Sequence, residues 1–256
     1  MSEFQKEVSK RIEEVSRNKA LLNAANIFKT ETIRSKYSYN FSWLGRPVIQ
    51  YPQELVQMQD LIWQIKPDLI IETGIAHGGS LIMSASMLAL LDLCDGIESG
   101  SMIDPKKSKR KVLGIDLDIR PHNRTAIQDH PMASRIQMIQ GSSIDPEVIA
   151  KVHKVAASYT RVLVCLDSNH THAHVLAELH AYAALVSVGS YCVVFDTIIE
   201  DLPAEMFPDR VWGPGNSPKT AVYDFLKTNQ HFVIDANVQD KLLITVAHDG
   251  YLKRVS

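Results

Sequence analysis

One short stretch, Pro67–Ser80, restricts the fold more than any other part of the sequence. Pro67 ends the preceding helical segment, and the apolar run at residues 69–71 is typical of a strand buried in a parallel sheet. Gly74, Gly78 and Gly79 follow, and they allow a sharp turn before a helix expected from about Ser80. Because doubly wound α/β proteins bind nucleotides at such a turn, the stretch predicts an α/β fold with a ligand site here.

The spacing of these glycines differs from that of the dinucleotide fingerprint, which requires G-x-G-x-x-G. Here the pattern is G-x-x-x-G-G, and the carboxylate of Glu72 precedes it. A carboxylate suits a cationic ligand, such as the amino acid end of S-adenosylmethionine (SAM), better than a pyrophosphate. A purely structural βα turn is the alternative. We predict cofactor contacts from Glu72, Gly74, His77, Gly78, Gly79 and Ser80.

The chain beyond this turn alternates between apolar runs and helical patterns. Five βα units are expected, with strands at residues 68–73, 111–117, 136–140, 161–166 and 191–195. Two further strands, 232–234 and 242–247, follow with no predicted helix between them and should form an antiparallel hairpin. This order predicts the class I SAM-dependent methyltransferase sheet, which is Rossmann-like and mostly parallel, with a C-terminal antiparallel hairpin.

The N-terminal part has a different character, and we predict an arm at residues 1–52 before a catalytic domain at 53–256. Residues 2–30 have a helical pattern, and residues 37–47 are rich in aromatic side chains that either fill the core edge or line a ligand site. A long segment with four prolines, residues 197–218, is predicted to be a lid over the site.

Composition excludes some classes of function. The 256 residues carry a formal net charge of −2, which argues against nucleic acid as the main partner. The three cysteines have no metal-binding spacing, and two of them lie in apolar runs. With no signal-like N-terminus and no apolar run expected to span a membrane, we predict a cytoplasmic protein.

Polar residues at the ends of the second and third strands complete the predicted cofactor site. Asp116 directly ends the second apolar run, and its carboxylate is placed to accept hydrogen bonds from the two ribose hydroxyls. Ser142 and Ser143 end the third strand, near the expected adenine. These serines could instead cap the following helix.

The ends of the fourth and fifth strands carry the predicted catalytic group. Asp167 and Asp196 should lie close together, and two carboxylates repel each other unless a proton or a cation such as Mg²⁺ lies between them. His170 would lie over that site as a general base, with His174 one turn further along and His172 pointing elsewhere. Helix capping by these histidines, or a zinc site built from them, remains an alternative.

Three groups of residues together carry a resemblance to a known family. The segments are Ile71–Gly74 with His77–Ser80, the Asp167–Val175 pattern D-S-x-H-T-x-x-H-V, and Gly189–Tyr191 ahead of Asp196. The chain resembles the cephalosporin hydroxylase family over about residues 37–226. That family has a SAM-dependent methyltransferase fold and is similar to O-methyltransferases that act on rhamnosyl groups and antibiotic sugars.

The resemblance implies a Mg²⁺ site that includes Asp167 and Asp196, with His170 as the general base and Asp167 also beside the cofactor. It also implies a glutamate directly before Asp196, where this chain has Phe195. Glu200 and Asp201 are candidates to supply the missing carboxylate.

Two classes of function follow from these observations. The first is a SAM-dependent O-methyltransferase that acts on a hydroxyl of a sugar, glycan or secondary metabolite with Mg²⁺ as a possible cofactor. The second is a nucleotide-dependent oxidoreductase, against which stands the missing G-x-G-x-x-G motif. A scaffold that binds SAM without catalysis is a third. We expect a small-molecule or glycan acceptor and a homo-oligomer.

Overall fold

The computed structural model describes residues 2–256. The helices are α1 (Glu3–Arg17), α2 (Lys19–Arg34), α3 (Pro52–Ile65), α4 (Gly79–Ser99), α5 (Pro121–Gln128), α6 (Pro146–Ala156), α7 (His172–Tyr182), α8 (Pro218–Thr228) and α9 (Ala236–Leu242). The strands are β1 (Phe41–Trp43), β2 (Arg46–Val48), β3 (Leu69–Thr73), β4 (Lys111–Asp116), β5 (Ile136–Gln140), β6 (Val162–Leu166), β7 (Tyr191–Val194), β8 (Phe232–Ile234) and β9 (Tyr251–Arg254).

Seven of these strands form one sheet in the order β5-β4-β3-β6-β7-β9-β8. The five from β3 to β7 are parallel, whereas β9 pairs antiparallel with both β7 and β8. This arrangement confirms the predicted sheet. The chain leaves β3 toward β4 and β5 on one side and returns to β6 and β7 on the other. A crevice therefore opens at the carboxyl ends of β3 and β6.

Strand β3 lies at the centre of the fold, and all of its residues are buried. Ile70 packs into one side-chain layer, while Leu69 and Ile71 pack into the layer on the opposite face of the sheet. Burial on both faces explains why the strand is a continuous apolar run rather than an alternating pattern.

The predicted strand at residues 242–247 is wrong, although the antiparallel pairing at the end of the chain is present. Helix α9 follows β8, and the pairing strand is β9 instead. The apolar run is used differently, because the Thr245 hydroxyl and the Val246 amide both donate to the buried carboxylate of Glu54. The Val246 amide is therefore not free to pair with a neighbouring strand, and the Val246 carbonyl accepts from the Ile198 amide instead.

The N-terminal region contains two helices where the sequence predicted one. The break comes at Asn18, whose side chain accepts a hydrogen bond from the Leu21 amide and caps α2. The aromatic segment that follows forms the β1–β2 hairpin. Tyr37 packs edge-on against Phe41 at 5.1 Å, so part of this segment fills the core edge. The domain boundary at residue 52 stays a prediction.

The expectation that no apolar run is long enough to span a membrane is wrong for helix α4. It has 21 residues, and its apolar window has a mean hydropathy of 1.6, so it passes a test of length and composition. However, 56% of that window is buried inside the fold. The composition is accounted for by packing against the sheet.

Candidate active site

A cavity of about 470 Å³ opens at the carboxyl ends of the central strands. Its floor is formed by the glycine turn after β3 and by residues that end β6 and β7. The N-terminal arm and the segment after β7 contribute the remaining walls. The lining includes Ile33, Lys36, Ser38, Tyr39, Gly74, His77, Gly79, Ser80, Asp167, His170, Phe195, Asp196, Leu202, Phe207, Arg210 and Trp212.

The three glycines of the turn serve three different purposes. A Cβ atom on Gly74 would lie 2.7 Å from the backbone carbon of Asp167, so glycine lets β3 and β6 end side by side. Gly78 has a φ of +82°, a left-handed conformation that favours glycine. Gly79 lies against the β1–β2 hairpin.

Glu72 lies beneath this turn and is buried. Burial raises the pKa of its carboxyl to about 7, and a hydrogen bond from Ser80 partly opposes that rise. A buried acid without a basic partner is stabilised by a cation, and Ser80, which donates to this carboxyl, also lines the cavity.

Asp116 has a structural role that the sequence analysis did not predict. One carboxylate oxygen accepts hydrogen bonds from the amides of Ile75 and Ala76, at 2.7 and 3.2 Å, and the other accepts one from the Asp118 amide. The carboxylate therefore fixes the glycine turn. A carboxylate has about four acceptor positions, so the three amides leave room for a ribose hydroxyl, and that contact stays a prediction.

The two serines after β5 do not cap the next helix, because Asp145 accepts from the Glu147 amide and takes that role. Ser143 is buried, and its hydroxyl lies 2.9 Å from Nε2 of His174. Among the described residues, 2–256, those that line the cavity include neither Ser142 nor Ser143. Their predicted place near the adenine is therefore untested.

Asp167, His170 and Asp196 come together at the floor of the cavity, as their strand positions predicted. One potential ligand atom from each lies within 4.8 Å of the others. Nε2 of His170 is 3.2 Å from Oδ2 of Asp196. Trp212 packs edge-on against the His170 ring at 5.6 Å. The helix begins at His172, so His170 precedes it in a loop.

The electrostatics of this cluster favour a cation. Burial and then the charge of Asp196 raise the pKa of the Asp167 carboxyl well above its usual range, and Glu72, Glu54 and Glu178 add to the effect. Among residues 2–256, no side chain or amide donates a hydrogen bond to that carboxylate. Asp196 has a φ of +55°, a left-handed conformation that is uncommon outside glycine and is found at strained functional positions.

The other histidines face different surroundings, so the described residues form no histidine zinc cluster. Nδ1 of His172 bonds to Thr220 at 2.8 Å, and His174 lies between Ser143 and Ser168. The only group of three potential metal ligands found in residues 2–256 contains a single histidine.

Glu200 and Asp201 do not supply the carboxylate that Phe195 lacks. Glu200 accepts hydrogen bonds from the Gly215 amide and the Ser217 hydroxyl, and Asp201 pairs with Lys219 at 2.6 Å. Both carboxylates are therefore committed to holding the segment after β7. The cluster in the described residues has two carboxylates and one imidazole.

Several residues at the site were missed by the sequence analysis because they come from distant segments. Arg46 donates from Nε to the His77 carbonyl at 2.9 Å and also reaches the side-chain oxygen of Asn123. Lys36 and Arg210 line the cavity without a local motif. Their spacing along the chain carries no periodic signal, and only the folded chain brings them to the site.

Comparisons with known proteins identify the family of this chain. A family model described as "Rhamnosyl O-methyltransferase/CmcI" matches residues 35–255. The rhamnosyl O-methyltransferase of Mycobacterium tuberculosis H37Rv is 28% identical over 202 residues, which cover 77% of this chain and 71% of that protein. That of Mycobacterium leprae is 23% identical and covers 83% and 82%.

Among solved structures, CmcI with Mg and SAM superposes with a TM-score of 0.55 at 17% identity, covering 85% of this chain and 78% of that one. A structure of CmcI with SAH (S-adenosylhomocysteine) gives 0.54 at 18% identity, covering 84% and 83%. These likenesses confirm the predicted fold, and the family match confirms the resemblance and the O-methyltransferase class of enzyme. The chain belongs to the Rhamnosyl O-methyltransferase/CmcI family.

Proposed function

We propose that this O-methyltransferase transfers the methyl group of SAM to a hydroxyl of a sugar or glycoside, with His170 as general base beside a divalent cation held by Asp167 and Asp196. One observation carries the proposal. The three side chains converge within 4.8 Å, in a cavity that also reaches the glycine turn. A methyl donor and an acceptor hydroxyl bound in one cavity can meet.

The donor end of the site is the glycine turn. The amino acid end of SAM is placed near Ser80 and above Glu72, where a buried carboxyl with a raised pKa suits an ammonium group. The ribose is assigned to Asp116, and the adenine to the region of Ser142 and Ser143. His77, Gly78 and Gly79 provide the backbone that the donor lies against.

The residues at the acceptor end fit a hard divalent cation such as Mg²⁺. The Asp167 carboxylate has no hydrogen-bond donor among the described residues, and Asp196 repels it. Oxygen donors are the ligands that Mg²⁺ prefers, and it usually keeps several waters besides one or two carboxylates, so the glutamate absent at Phe195 is not indispensable. A cation bound there supplies positive charge that lowers the pKa of a neighbouring hydroxyl.

Methyl transfer is a direct displacement, so this chain must position the acceptor oxygen and remove its proton. His170 accepts the proton of the acceptor hydroxyl, and the Asp196 carboxylate, 3.2 Å from Nε2 of this ring, stabilises the imidazolium that forms. Trp212 packs edge-on against the imidazole ring and restricts its position. Aromatic and apolar walls formed by Tyr39 and Phe207 exclude water from the reacting oxygen and offer faces to a sugar ring.

The experiment that tests the proposal has two arms. In the first, titration calorimetry is carried out separately with SAM, NADH and NADPH, and only SAM should bind. Binding of a nicotinamide nucleotide without SAM would favour the oxidoreductase alternative. In the second, cell extract is incubated with the protein and methyl-deuterated SAM, and products are detected by their mass shift. The proposal fails if the labelled methyl group appears on no hydroxyl-bearing compound.

The cytoplasmic location and the homo-oligomeric state stay predictions. Cell fractionation and light scattering, respectively, would test them.

A further inference from the structure

Two cations line the outer part of the cavity without an anionic partner. Lys36 follows α2 in the arm, and Arg210 lies in the segment after β7. Within residues 2–256, neither side chain forms an ion pair or donates a hydrogen bond to a carboxylate. The Arg210 guanidinium lies over the Trp212 ring at 5.6 Å, so it is held beside the cavity by an aromatic face rather than by an acid.

The cavity offers these two cations no acidic partner. Asp167 and Asp196 are the only acidic side chains among the described residues that line it, and the proposed divalent cation balances their charge. The other walls include Tyr39 and Phe207. A neutral acceptor would need no cations at this rim. An anionic acceptor would supply the negative charge that these two cations lack.

Distances through Trp212 give the scale of the site. The His170 ring lies 5.6 Å from the Trp212 ring, and the guanidinium carbon of Arg210 lies 5.6 Å from the same ring. The guanidinium can therefore be no farther from the general base than the sum of these two distances. A monosaccharide with one charged substituent can span that length.

We propose that the acceptor carries an oxyanion, a carboxylate or a phosphate, which Lys36 and Arg210 bind while the reacting hydroxyl lies at His170. This inference rests on the proposed function and adds the charge class of the substrate. Arg210 provides a planar pair of donors that matches either oxyanion, and Lys36 adds a point charge.

The test uses probes of known charge and the protein saturated with SAH. Calorimetry compares glucuronate and glucose 6-phosphate with neutral glucose. We expect both charged sugars to bind more tightly than glucose, and binding to weaken as salt is added because exposed charges are screened. The stronger of the two charged ligands identifies the oxyanion.

Variants assign the effect to the two cations. The double variant Lys36→Gln/Arg210→Gln should lower the affinity for the charged sugars about tenfold, since each partly screened charge contributes modestly. Lys109→Gln, which removes an exposed cation in the loop before β4, is the matched control and should have no effect. SAH affinity should be the same in all three proteins.

Several results would overturn the inference. They are equal binding of glucose and the charged sugars, no binding of either charged sugar at millimolar concentration, and unchanged binding in the double variant. A loss of SAH affinity in Lys36→Gln would also overturn it, because the lysine would then belong to the methyl donor. Failure of wild-type protein to bind SAH would instead contradict the proposed function itself, and the inference with it.

Discussion

The backbone of Pro47 occupies the space where a side chain on Gly79 would begin. A Cβ atom there would lie 2.6 Å from the Pro47 carbonyl carbon and 2.8 Å from Cα of Val48. The β1–β2 hairpin therefore packs directly on the turn that forms the donor site. Arg46, in the same hairpin, donates to the His77 carbonyl and strengthens this contact.

The first prediction follows from this contact. Gly79→Ala should destabilise the protein by about 1–3 kcal/mol, because backbone on both sides must shift to admit the methyl group. SAM affinity should fall as well, since the turn is displaced. Denaturant unfolding and calorimetry measure the two effects.

Gly213→Ala is the matched control for that variant. A Cβ atom on Gly213 would meet nothing within 4 Å, and this glycine has no positive φ. Its free energy of unfolding should change by less than about 0.5 kcal/mol. Equal stability of the two variants would show that the hairpin does not fix the turn.

The second prediction concerns proton removal. His170→Ala should lower kcat by roughly 10²–10⁴-fold, which is the range for a lost general base, with SAM binding intact. His172→Ala removes a nearby imidazole that bonds to Thr220 on α8 instead, and kcat should stay within a few-fold of wild type. Steady-state kinetics with calorimetry provide the comparison. A similar kcat for both variants would exclude His170 as the base.

The third prediction addresses Phe195, which stands where the family resemblance implies a glutamate. Phe195→Glu should strengthen Mg²⁺ binding, because it adds a carboxylate beside Asp196 on the cavity floor. Without metal the same variant should be less stable than wild type, since it buries another negative charge among existing ones. Thermal unfolding in EDTA and in Mg²⁺ measures both effects.

Phe195→Gln is the control, as it has nearly the shape of glutamate without its charge. The Mg²⁺-dependent rise in melting temperature should be largest for Phe195→Glu, in line with linkage between binding and stability. The metal assignment would be rejected if wild-type activity survived EDTA with no metal found by elemental analysis.

The order of the strands and the convergence of Asp167 with Asp196 could be predicted from the sequence, because apolar runs locate the strands and parallel strands end at one edge. The purposes of Gly74, Gly79 and Asp116 could not. Their partners are Asp167, Pro47 and the Ile75 amide, and all three contacts join distant segments of the chain. A glycine that is required for the close approach of a ligand cannot be distinguished in the sequence from one that is required for the close approach of a hairpin.

The C-terminal error has a similar origin. The run at residues 242–247 is apolar enough for a strand, but Glu54 binds the Thr245 hydroxyl and the Val246 amide. A buried carboxylate that arrives from α3 leaves no signal in the run itself. The local pattern therefore assigned the wrong backbone conformation to this run, in which only Thr245 and Ala247 are fully buried.

The fourth prediction is a pH dependence set by Glu72, whose carboxyl has a pKa of about 7 in the free protein. Only the ionised form attracts the SAM ammonium group. Below pH 7 the carboxyl must first lose its proton, so SAM affinity should fall about tenfold for each pH unit. Calorimetry at several pH values measures this slope, and Glu72→Gln should remove most of it.

The stability of the free protein should change in the opposite direction. The folded pKa of Glu72 lies above its ordinary value of 4.5, so the stability that it contributes is complete below pH 4.5 and is lost as the pH rises toward 7. Glu54 has the same raised pKa and adds to this loss. If the SAM affinity of the wild type does not change with pH, Glu72 does not contribute to binding of the methyl donor.

The last prediction concerns the segment at residues 197–218 as a lid. Glu200 links the beginning of the segment to its end. Its carboxylate accepts hydrogen bonds from the Gly215 amide at 2.9 Å and from the Ser217 hydroxyl at 2.7 Å. Glu200→Ala should cost about 1.5–3 kcal/mol of local stability, the value of hydrogen bonds to a charged group. Phe207, Arg210 and Trp212 would then lose their fixed positions in the cavity wall.

The expected result of Glu200→Ala is faster limited proteolysis within the segment and a higher KM for the acceptor, with SAM affinity unchanged. Glu205→Ala removes an exposed glutamate from the same segment, one whose side chain forms no hydrogen bond or ion pair among the described residues, and should match wild type in both assays. Acceptor and SAM together should protect the wild-type segment from cleavage, because a lid closes only over a filled site. If cleavage is equally fast with and without a turnover-competent acceptor, the segment is a fixed wall, and Glu200 contributes only to its rigidity.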